Sequence, residues 1–406
     1  MIVRYRLFLI LLSLPLILLF IWQAFKQRDF RFLKERLGFI STRLKNPLWF
    51  HATSVGEINA VAPLIKHIQQ QQSEMGILIT TTTPTGAEIA RRLFPDIEHH
   101  YFPFDFLINV NRTIKSIKPR ALMIVETEIW PNLYAVCGRQ NLPLYIVNGR
   151  LSDRTVRTTL WIHRLYRQAL THITHIYCRS ADDKSMFELM GANETQLTVA
   201  GNLKYAAIID NNAQPLPETK RHYLLAASTR HEEEPIIASA FMQAKLKDML
   251  LVIAPRHPDR LHEIINSLDG YKIAIRSRGE VITNETDIYI ADTIGEMAAL
   301  ISGAELVIIG GSFVDKGGQN LLEPAAAGKP TIVGPHMENF KTETEDLLKA
   351  KGVIQTTAEN LPAEISRLIN DKDAAAELVT NAKVFVNERK NVVEDYYQMI
   401  MERLKS

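Results

Sequence analysis

Cysteine is scarce in this chain. Among its 406 residues only Cys137 and Cys178 are cysteines, and they form no CxxC pair. Neither one has a group of histidines beside it in the sequence. This pattern is typical of buried thiols in a reducing compartment and favours neither a disulfide framework nor a metal site. We therefore expect no metal ion and no cofactor.

An excess of positive charge is absent outside the first 50 residues. Those residues carry nine Lys or Arg against two Asp or Glu, whereas the rest of the chain carries 38 against 43. A protein that binds nucleic acid along a broad face concentrates its basic residues there. The distribution therefore argues against a nucleic-acid partner and favours contact between the N-terminal arm and anionic membrane lipids.

A charge-free run, Leu7–Trp22, occupies this arm. A cleaved signal peptide begins in a similar way, but no small-x-small cleavage site follows the run. Instead, residues 26–37 place five cations among apolar side chains, as an interfacial segment does. The positive-inside bias then keeps the bulk of the chain in the cytoplasm. We predict an uncleaved membrane anchor over residues 1–25, which either spans the bilayer or inserts partway.

From residue 48 onward, short apolar runs alternate with amphipathic helical patterns, which is typical of parallel sheets with crossover helices. The strands predicted in the first half are Leu48–Ala52, Gly76–Thr80, Ala121–Val125, Leu144–Val147 and Ile176–Cys178. The strands predicted in the second half are Tyr223–Ala227, Leu250–Ala254, Lys272–Ile275, Ile288–Ile290, Leu306–Ile309 and Thr331–Val333. Between the halves, residues 210–220 hold two prolines and no periodicity, and they are predicted to form a linker.

The predicted fold is therefore α/β, with two Rossmann-like doubly wound domains facing a cleft. The N-terminal domain is expected over residues 26–209 and the C-terminal domain over residues 221–406, whose last helix could pack back on the N-terminal domain. In such sheets ligands bind beyond the carboxyl ends of the strands. The chemistry is therefore expected in the strand-to-helix loops.

Two glycine pairs follow a predicted buried strand in "VIIGGSFVDKGGQNLLEPAAAGKP", Val307–Pro330. Glycine lets backbone amides approach a phosphate closely, and the start of the following helix favours negative charge. The spacing fits neither a GxGxxG dinucleotide motif nor a GxxxxGK[ST] P-loop. We expect a nucleotide-sized anion here, beside Gly311 and Ser312. Glu323, in the first turn of that helix, either complements the helix dipole or binds a ribose.

Two further strand ends in the second half could contact the same ligand. Arg256, in "LVIAPRHPDR", can present several donors to a phosphate or a carboxylate. The loop "ADTIGEM", Ala291–Met297, could read a base with its backbone. Three loops of one domain are thus predicted to converge on the anion.

The corresponding loops of the first half carry acids. Glu57 follows the first strand, and Glu126 and Glu128 lie in "IVETEIWPN" after another. Thr80–Gly86 adds hydroxyl groups, and "GNLKY" supplies Lys204 near the linker. Acids without metal-ligand spacing indicate a general base or the binding of a polyhydroxyl substrate, although each of them could instead cap a helix.

Glu57 presents this choice most directly. Ser54 and Glu57 have the S-x-x-E spacing of a capping box. A helix already regular from Ser54 would place Pro63 in its interior, where proline costs about 3 kcal/mol or kinks the axis. The regular helix is therefore predicted to begin near Asn59 or Ala60, with Glu57 in the preceding loop. There the positive end of the helix would keep the carboxylate ionised, although desolvation could make it more basic.

Over nearly its whole length the chain closely resembles the Kdo transferases, the 3-deoxy-D-manno-octulosonic acid transferases of lipopolysaccharide synthesis. The motifs that carry the resemblance are "SVGE", "TTTTPTG", "ETEIWPN", "NGRLSDRT", "GNLKY", "PRHP", "GGSFVDKGGQNLLEPAAAGKP" and "GPHMENF". Gln319 and Leu321 stand where the family often has His and Pro. The resemblance implies a GT-B glycosyltransferase that moves Kdo from CMP-Kdo to lipid IVA, the lipid A precursor, with inversion and without a metal.

The resemblance also implies roles for particular residues. Glu57 would be the general base, and Lys204 with either Glu126 or Glu128 would support the transition state. The nucleotide would bind in the C-terminal domain and the acceptor in the N-terminal domain near the membrane. The residues implied for the nucleotide site are Pro255, Arg256, Ile294, Gly295, Glu296, Gly311, Ser312, Asn320, Leu321, Leu322 and Glu323.

Other functions are compatible with parts of the sequence. A nucleotide-sugar epimerase shares the two-domain plan but would not need an anchor or a basic arm, and another GT-B glycosyltransferase could also act on a lipid acceptor. A membrane-tethered nucleotide sensor would need the C-terminal loops but not the N-terminal acids. No motif in the sequence encodes the number of Kdo residues transferred or the oligomeric state.

Overall fold

A computed structural model describes residues 2–11, 13, 30–151, 153–208 and 221–405. Most of the predicted anchor and all of the predicted linker lie outside the described residues. Within the described ranges, no helix combines the length and the apolarity that crossing a membrane requires.

The chain divides into two compact units. The first comprises Met1–Ala207 together with Asn391–Ser406, and the second comprises Ile208–Lys390. The first unit is thus discontinuous, because its last helix follows the whole second unit along the chain.

The first unit alternates strands with helices after an N-terminal helix over residues 2–11. Its further elements in chain order are α1 Phe30–Arg36, β1 Leu48–His51, α2 Val55–Gln71, β2 Ile77–Thr81, α3 Pro84–Leu93, β3 Glu98–Tyr101, α4 Leu107–Ile117, β4 Ala121–Val125, α5 Pro131–Arg139, β5 Leu144–Gly149, α6 Asp153–Val156, α7 Leu160–Leu170, β6 His175–Cys178, α8 Ala181–Leu189 and β7 Leu197–Val199. Its strands form one parallel sheet in the order β3-β2-β1-β4-β5-β6-β7.

The centre of this sheet is buried on both faces. Leu48 of β1 pairs in register with Ile77 of β2 and with Ala121 of β4. Alternate side chains of β1 enter two different cores, since Phe50 packs in one apolar cluster and Trp49 in the other. Helices therefore cover both faces, as the continuous apolar strands predict.

The five strands predicted in this unit are confirmed, with ends that differ by one or two residues, but β3 and β7 were not predicted. The sequence of β3, EHHY, carries charge and lacks an apolar run. Its polar groups are matched by Glu35 of α1. The Glu35 carboxylate accepts a hydrogen bond from Tyr101 N at 2.8 Å and lies 3.0 Å from His100 Nδ1. This pairing joins positions 65 residues apart, so no local pattern could have revealed it.

The second unit repeats the plan. Its elements are β8 Tyr223–Thr229, α9 Glu234–Gln243, β9 Leu250–Pro255, α10 Leu261–Ser267, β10 Ile273–Ile275, β11 Ile288–Ile290, α11 Met297–Gly303, β12 Leu306–Ile309, α12 Leu322–Ala326, β13 Thr331–Val333, α13 Lys341–Lys349, β14 Ile354–Gln355, α14 Leu361–Asn370 and α15 Lys372–Asn387. Its parallel sheet has the order β10-β11-β9-β8-β12-β13-β14. The six strands predicted here are confirmed, and the two-residue β14 is an addition.

The last helix, α16 Val392–Lys405, belongs to the first unit and packs beside α2. Its Tyr396 is fully buried, and the hydroxyl donates to the carbonyl of Gly201 at 3.0 Å. The same hydroxyl accepts a hydrogen bond from Asn148 N at 3.2 Å, at the end of β5. The helix is therefore an integral part of the first core.

The strand order of each sheet reverses direction at one place. In the first sheet this point lies between β1 and β4, and in the second it lies between β8 and β12. Loops diverge to opposite faces at such a point and leave a crevice at the carboxyl ends of the two strands. These two crevices are where binding groups are expected, one in each unit.

Candidate functional site

The crevice of the first unit collects three carboxylates. Glu57 lies in the first turn of α2 after β1, whereas Glu126 and Glu128 lie in the loop after β4. The two strands are direct neighbours, so their loops meet. The three acids predicted from the sequence are therefore brought to one place, where Glu57 is under the electrostatic influence of both others.

The prediction that the helix begins near Asn59 or Ala60 was wrong. Helix α2 begins at Val55, with Ser54 as its N-cap, and contains Pro63. Proline costs one backbone hydrogen bond, to the carbonyl of Asn59, but that residue is exposed and its carbonyl can bond to water. Burial of one apolar face of the helix outweighs this cost.

Glu57 is both a cap and a candidate base. Its N–H donates to Ser54 Oγ at 3.4 Å, and its Oε2 accepts a hydrogen bond from Thr53 N at 2.5 Å. The first bond satisfies one orphan donor of the helix start, whereas the second engages the N–H of the residue before the N-cap, so the S-x-x-E spacing forms no standard capping box here. The capping role holds the carboxylate in a fixed position, so the two interpretations are compatible.

The pKa of Glu57 is raised to about 8. Burial is the largest cause, and the charges of Glu126 and Glu128 add to it, against the hydrogen bond from Thr53. The expectation that the helix terminus keeps this group ionised was therefore wrong, because desolvation and like charges dominate. A carboxylate with such a pKa is well matched to accepting a proton near neutral pH.

The loop after β4 holds Glu126 in an unusual backbone conformation. Its φ is +61°, a value that L-residues other than glycine seldom adopt, and its N–H donates to Val147 O at 2.9 Å. The carboxylate lies 3.5 Å from Arg150 Nε. Such strain commonly accompanies functional positions, where surrounding contacts enforce it.

Glu128 has a different set of neighbours. Its pKa is raised, mainly by burial, and the side chain of Thr53 opposes the shift by hydrogen bonding to the carboxylate. Its carbonyl accepts a hydrogen bond from Tyr134 Oη at 2.6 Å. Glu126 thus lies beside the Arg150 guanidinium. Glu128 and Glu57 instead both bond to Thr53, Glu128 to its side chain and Glu57 to its N–H.

Sequence reasoning missed Thr53 and His51. The His51 ring is fully buried, stacks on Phe102 at 3.5 Å between centroids, and places Nδ1 3.1 Å from Thr80 O. Burial lowers its pKa to about 3, so the ring is neutral. Its Nε2 lies 3.4 Å from Thr53 Oγ1. His51 therefore contacts Thr53, which in turn bonds to both Glu57 and Glu128.

Lys204 lies in the same unit, in a short 3₁₀ helix over Leu203–Ile208. Its N–H donates to Asn202 Oδ1 at 3.1 Å, and Leu203 N donates to Asn148 Oδ1 at 3.0 Å. Asn148 lies in strand β5, beside β4, and its backbone is in the left-handed region, with φ of +55°. The residue before Lys204 is thus tied to β5, the neighbour of the strand that the two acids follow.

The crevice of the second unit is built differently from the sequence prediction. Gly311 N and Ser312 N donate to the two carboxylate oxygens of Glu233, at 2.6 and 3.0 Å. Phe313 N and Arg230 N donate to the same carboxylate at 2.9 and 3.1 Å. The amides that we predicted would hold a phosphate therefore already have an anionic partner from the chain itself.

Glu233 was not predicted as a site residue. It is fully buried in "STRHEEEP" after β8, and its partners lie about 80 positions further along the chain. Gly310 faces the same loop, where a Cβ atom would stand 2.4 Å from Ser228 O. The first glycine pair is therefore required for close approach between the loops after β8 and β12.

Two guanidinium groups lie near this crevice. Arg256 is exposed at the end of β9, after the buried Pro255, and its N–H donates to Thr229 O at 3.0 Å. Burial and the charge of Arg256 both lower the pKa of Arg230, whose Nη1 lies 2.8 Å from His257 Nε2. Like charges held this close create a region that favours an anion.

The loop after β11 is open to solvent at Ile294 and Gly295. Ile294 is 84% exposed, and Gly295 has φ of +96° with open space where a Cβ would be. The Glu296 carboxylate forms an ion pair with the Arg276 guanidinium, with two N···O distances of 2.5 Å. The Glu296 carboxylate, predicted to contact the nucleotide, is therefore already bound by Arg276.

The start of α12 is organised by a short hydrogen-bonded turn. Asn320 Oδ1 accepts a hydrogen bond from Leu322 N at 3.1 Å, and its Nδ2 donates to Glu323 Oε1 at 3.0 Å. The side chains of Leu321 and Leu322 are buried in the core. Only their backbone could therefore meet a ligand, whereas the Glu323 side chain reaches the surface. Partial burial still raises the pKa of its carboxylate, against the hydrogen bond from Asn320 and the charge of Arg256.

One set of side chains in the described part of the chain has metal-ligand geometry. Asp315, His336 and Glu338 can bring ligand atoms within 4.8 Å of one another. The two acids are exposed, and His336 Nδ1 already lies 3.6 Å from Glu338 Oε1. Exposed groups of this kind are common without an ion, so the arrangement does not indicate a metal centre.

Comparisons with known proteins agree with this architecture. Residues 31–207 match the family described as 3-deoxy-D-manno-octulosonic-acid transferase (kdotransferase). The chain is 31% identical to the 3-deoxy-D-manno-octulosonic acid transferase of Haemophilus influenzae, over 91% of each chain. It is also 31% identical to the Bordetella pertussis enzyme of the same name, over 84% of this chain and 85% of that one.

A solved structure, the UDP-GlcNAc 2-epimerase from Neisseria meningitidis bound to UDP-GlcNAc, has the same fold. It aligns with a TM-score of 0.60 over 88% of this chain and 100% of that one, at 11% identity. That likeness concerns the fold alone, whereas the relatives at 31% identity extend over both units. The chain therefore belongs to the 3-deoxy-D-manno-octulosonic acid transferase family of enzymes.

Proposed function

We propose that the enzyme transfers Kdo from CMP-Kdo to lipid IVA, with inversion at the sugar carbon and with Glu57 as the general base. The observation that carries the proposal is the carboxylate cluster at the first crevice, where Glu57 is held by its capping hydrogen bonds and has a pKa of about 8. The Thr53 N–H holds this carboxylate in place, and the charges of Glu126 and Glu128 help to raise its pKa.

The proposed step conserves atoms and charge. The acceptor hydroxyl oxygen forms a bond to the anomeric carbon of Kdo while its proton passes to the Glu57 carboxylate. The bond between that carbon and the phosphate oxygen breaks, and CMP leaves with the electron pair. Attack opposite the leaving group inverts the configuration. Positioning and charge stabilisation, rather than covalent catalysis, then supply the rate enhancement.

We infer that guanidinium groups, rather than loop amides, stabilise the departing phosphate. The N–H groups of Gly311 and Ser312 are engaged by Glu233, so Arg256 and Arg230 are the better candidates. The exposed residues Ile294 and Gly295 suit contact with the base, and the exposed Glu323 suits contact with the ribose. No metal is required in this proposal, because these cations meet the charge of the phosphate.

Lys204 and the acids of the β4 loop are proposed to stabilise the Kdo moiety as it separates from the phosphate. Lys204 offers a positive charge that could meet the carboxylate of Kdo. Glu126 and Glu128 differ in their partners, Arg150 and Thr53, so their substitution should have unequal effects. Comparing Glu126→Gln with Glu128→Gln would decide which one supports the transition state.

We also propose that the enzyme works at the cytoplasmic face of the inner membrane. The acyl chains of lipid IVA leave a bilayer only at a large cost in free energy, so catalysis must occur at the interface. The N-terminal helix exposes an apolar surface that suits this location. Its exposed apolar side chains are Val3, Leu7, Phe8, Ile10 and Leu11. The cations that follow residue 25 suit contact with anionic lipids.

The proposal is tested by Glu57→Gln in the full-length enzyme, with CMP-Kdo and lipid IVA as substrates. Loss of a general base should lower kcat about 10²- to 10⁴-fold. CMP binding, measured by calorimetry, should be unchanged because the proposed nucleotide groups lie in the second unit. The matched control is Glu74→Gln, an exposed acid of the same unit.

Mass spectrometry of the lipid product measures the transfer and counts the Kdo residues added. A Glu57→Gln variant that turns over within threefold of the wild-type rate would end the assignment of the base. Absence of any Kdo-lipid product from the wild-type enzyme would end the assignment of donor and acceptor.

A further inference from the structure

The N-terminal helix is attached to the first unit by two polar side chains. Tyr5 Oη donates to Asp105 Oδ2 at 2.9 Å, and Arg6 Nε donates to Asn132 Oδ1 at 2.8 Å. Ile2, Tyr5, Arg6 and Leu9 are half-buried at i, i+3, i+4 and i+7 spacing, so they share one face of the helix. This face is turned toward the protein, opposite the exposed apolar residues.

The Tyr5 hydroxyl of this helix bonds to Asp105, a buried residue that is 4% exposed. Its Oδ2 accepts from Asn132 N at 2.9 Å and its Oδ1 accepts from Leu133 N at 2.8 Å, both at the start of α5. Its carbonyl accepts a hydrogen bond from Asn132 Nδ2 at 2.6 Å. The N-cap residue of α5, Trp130, forms no side-chain cap of its own. Asp105 therefore caps α5 from a distant part of the sequence.

Helix α5 in turn fixes the loop that carries Glu126 and Glu128. Tyr134, in the first turn of α5, donates to the carbonyl of Glu128 at 2.6 Å. At the other end of the loop, Glu126 N donates to Val147 O at 2.9 Å. One end of the acidic loop is thus held by the sheet and the other by the helix that Asp105 caps.

We propose that the N-terminal helix is a positioning element of the catalytic site: Tyr5 and Arg6 hold the start of α5 through Asp105 and Asn132, and thereby hold the acidic loop. This inference rests on the transferase function proposed above and extends it. A segment that we place at the membrane then contributes to the geometry of the carboxylates. Full activity requires this helix to be in place on the first unit.

The electrostatics of Asp105 agree with this role. Burial raises its pKa to about 7, whereas the amides of α5, the Tyr5 hydroxyl and the Arg6 charge oppose the rise. The other titratable groups that sense its charge are Tyr134 and Cys137 of α5, both with raised pKa values and both neutral near pH 7. Removal of the Tyr5 and Arg6 contacts should therefore raise the pKa of Asp105 further, so that a larger fraction of it is protonated at pH 7. A protonated Asp105 caps α5 less well, since a neutral acid is a weaker acceptor.

The experiment compares the full-length wild-type enzyme with the double variant Tyr5→Phe/Arg6→Ala in the same detergent. We expect kcat at pH 7 to fall about tenfold, and the acidic limb of the kcat profile to move up by about one pH unit. Peptides that cover residues 126–139 should exchange amide hydrogen faster. Arg4→Ala, which removes a charge from an exposed position of the same helix, should keep the wild-type exchange and pH profile.

A second variant separates positioning from loss of folded protein. Asp105→Asn is neutral at every pH, so its kcat should be low and should lack the part of the acidic limb that Asp105 causes. A smaller folded fraction would lower kcat without moving the limb. An unshifted limb together with wild-type exchange over residues 126–139 in the double variant would overturn the inference. If the wild-type enzyme transfers no Kdo, the proposed function fails, and the exchange measurement still decides the positioning role.

Discussion

Glu233 offers the sharpest prediction about the second unit. Its buried carboxylate accepts four backbone hydrogen bonds, two at each oxygen. In Glu233→Gln one oxygen becomes an NH₂ group that faces N–H donors, so two of these bonds are lost. Hydrogen bonds to a charged group contribute about 1.5–3 kcal/mol each, which gives about 3–6 kcal/mol for the pair.

Part of this loss is offset. Burial raises the pKa of Glu233, so the charge itself costs free energy that a neutral amide does not. We therefore expect a net destabilisation of about 3 kcal/mol, at the lower end of the range. For a unit of this size that corresponds to a fall of about 6–12 °C in Tm.

Differential scanning calorimetry of the full-length chain measures this change. The matched control is Glu232→Gln, because the neighbouring Glu232 side chain is 77% exposed and should contribute little. CMP affinity should also fall in Glu233→Gln, since Arg230, whose N–H donates to this carboxylate, loses its fixed position. A Glu233→Gln protein that melts within about 2 °C of the control would refute the view that this carboxylate organises the glycine loop.

Two further predictions concern charge at the proposed sites. Because the pKa of Glu57 is raised above its ordinary value to about 8, its ionisation destabilises the fold progressively from about pH 4.5 and fully above pH 8. Glu57→Gln should therefore raise Tm at pH 9 and leave it nearly unchanged at pH 4, and equal shifts at both pH values would contradict this reasoning. Arg256→Ala should weaken CMP binding about 10- to 100-fold, as loss of a charge-assisted hydrogen bond does. Calorimetry with Arg278→Ala, an exposed arginine of the same unit, provides the control, and equal affinities would remove Arg256 from the site.

The architecture could be predicted from the sequence because it is encoded locally. Buried parallel strands such as Ala121–Val125 appear as apolar runs, and their ends mark the loops. The positions of Glu57, Glu126 and Glu128 follow from that pattern together with the neighbouring positions of β1 and β4. Contacts between residues far apart in the sequence could not be predicted in this way. The polar strand β3 depends on Glu35, and Pro63 misled the prediction of where α2 begins.

The proposed binding groups of the second unit could likewise be predicted only in part. The loop from Gly310 onward was recognised from its glycines, but its anionic partner Glu233 lies about 80 positions earlier. A carboxylate that neutralises a row of amides has no signature of its own in the sequence. The amides were therefore assigned to an external phosphate. Only the three-dimensional arrangement indicates that the chain satisfies them itself.

The discontinuity of the first unit has a consequence for biosynthesis. Residues 391–406 complete its core, where the Tyr396 hydroxyl bonds to groups at residues 148 and 201. On the ribosome, those groups are synthesised about 200 to 250 residues before Tyr396. Their hydrogen bonds to its hydroxyl can form only after Tyr396 has been added. The second unit is continuous and can close first. Synthesis thus orders assembly: the carboxylates proposed to be catalytic acquire their final framework only after the unit proposed to bind the nucleotide has already been made.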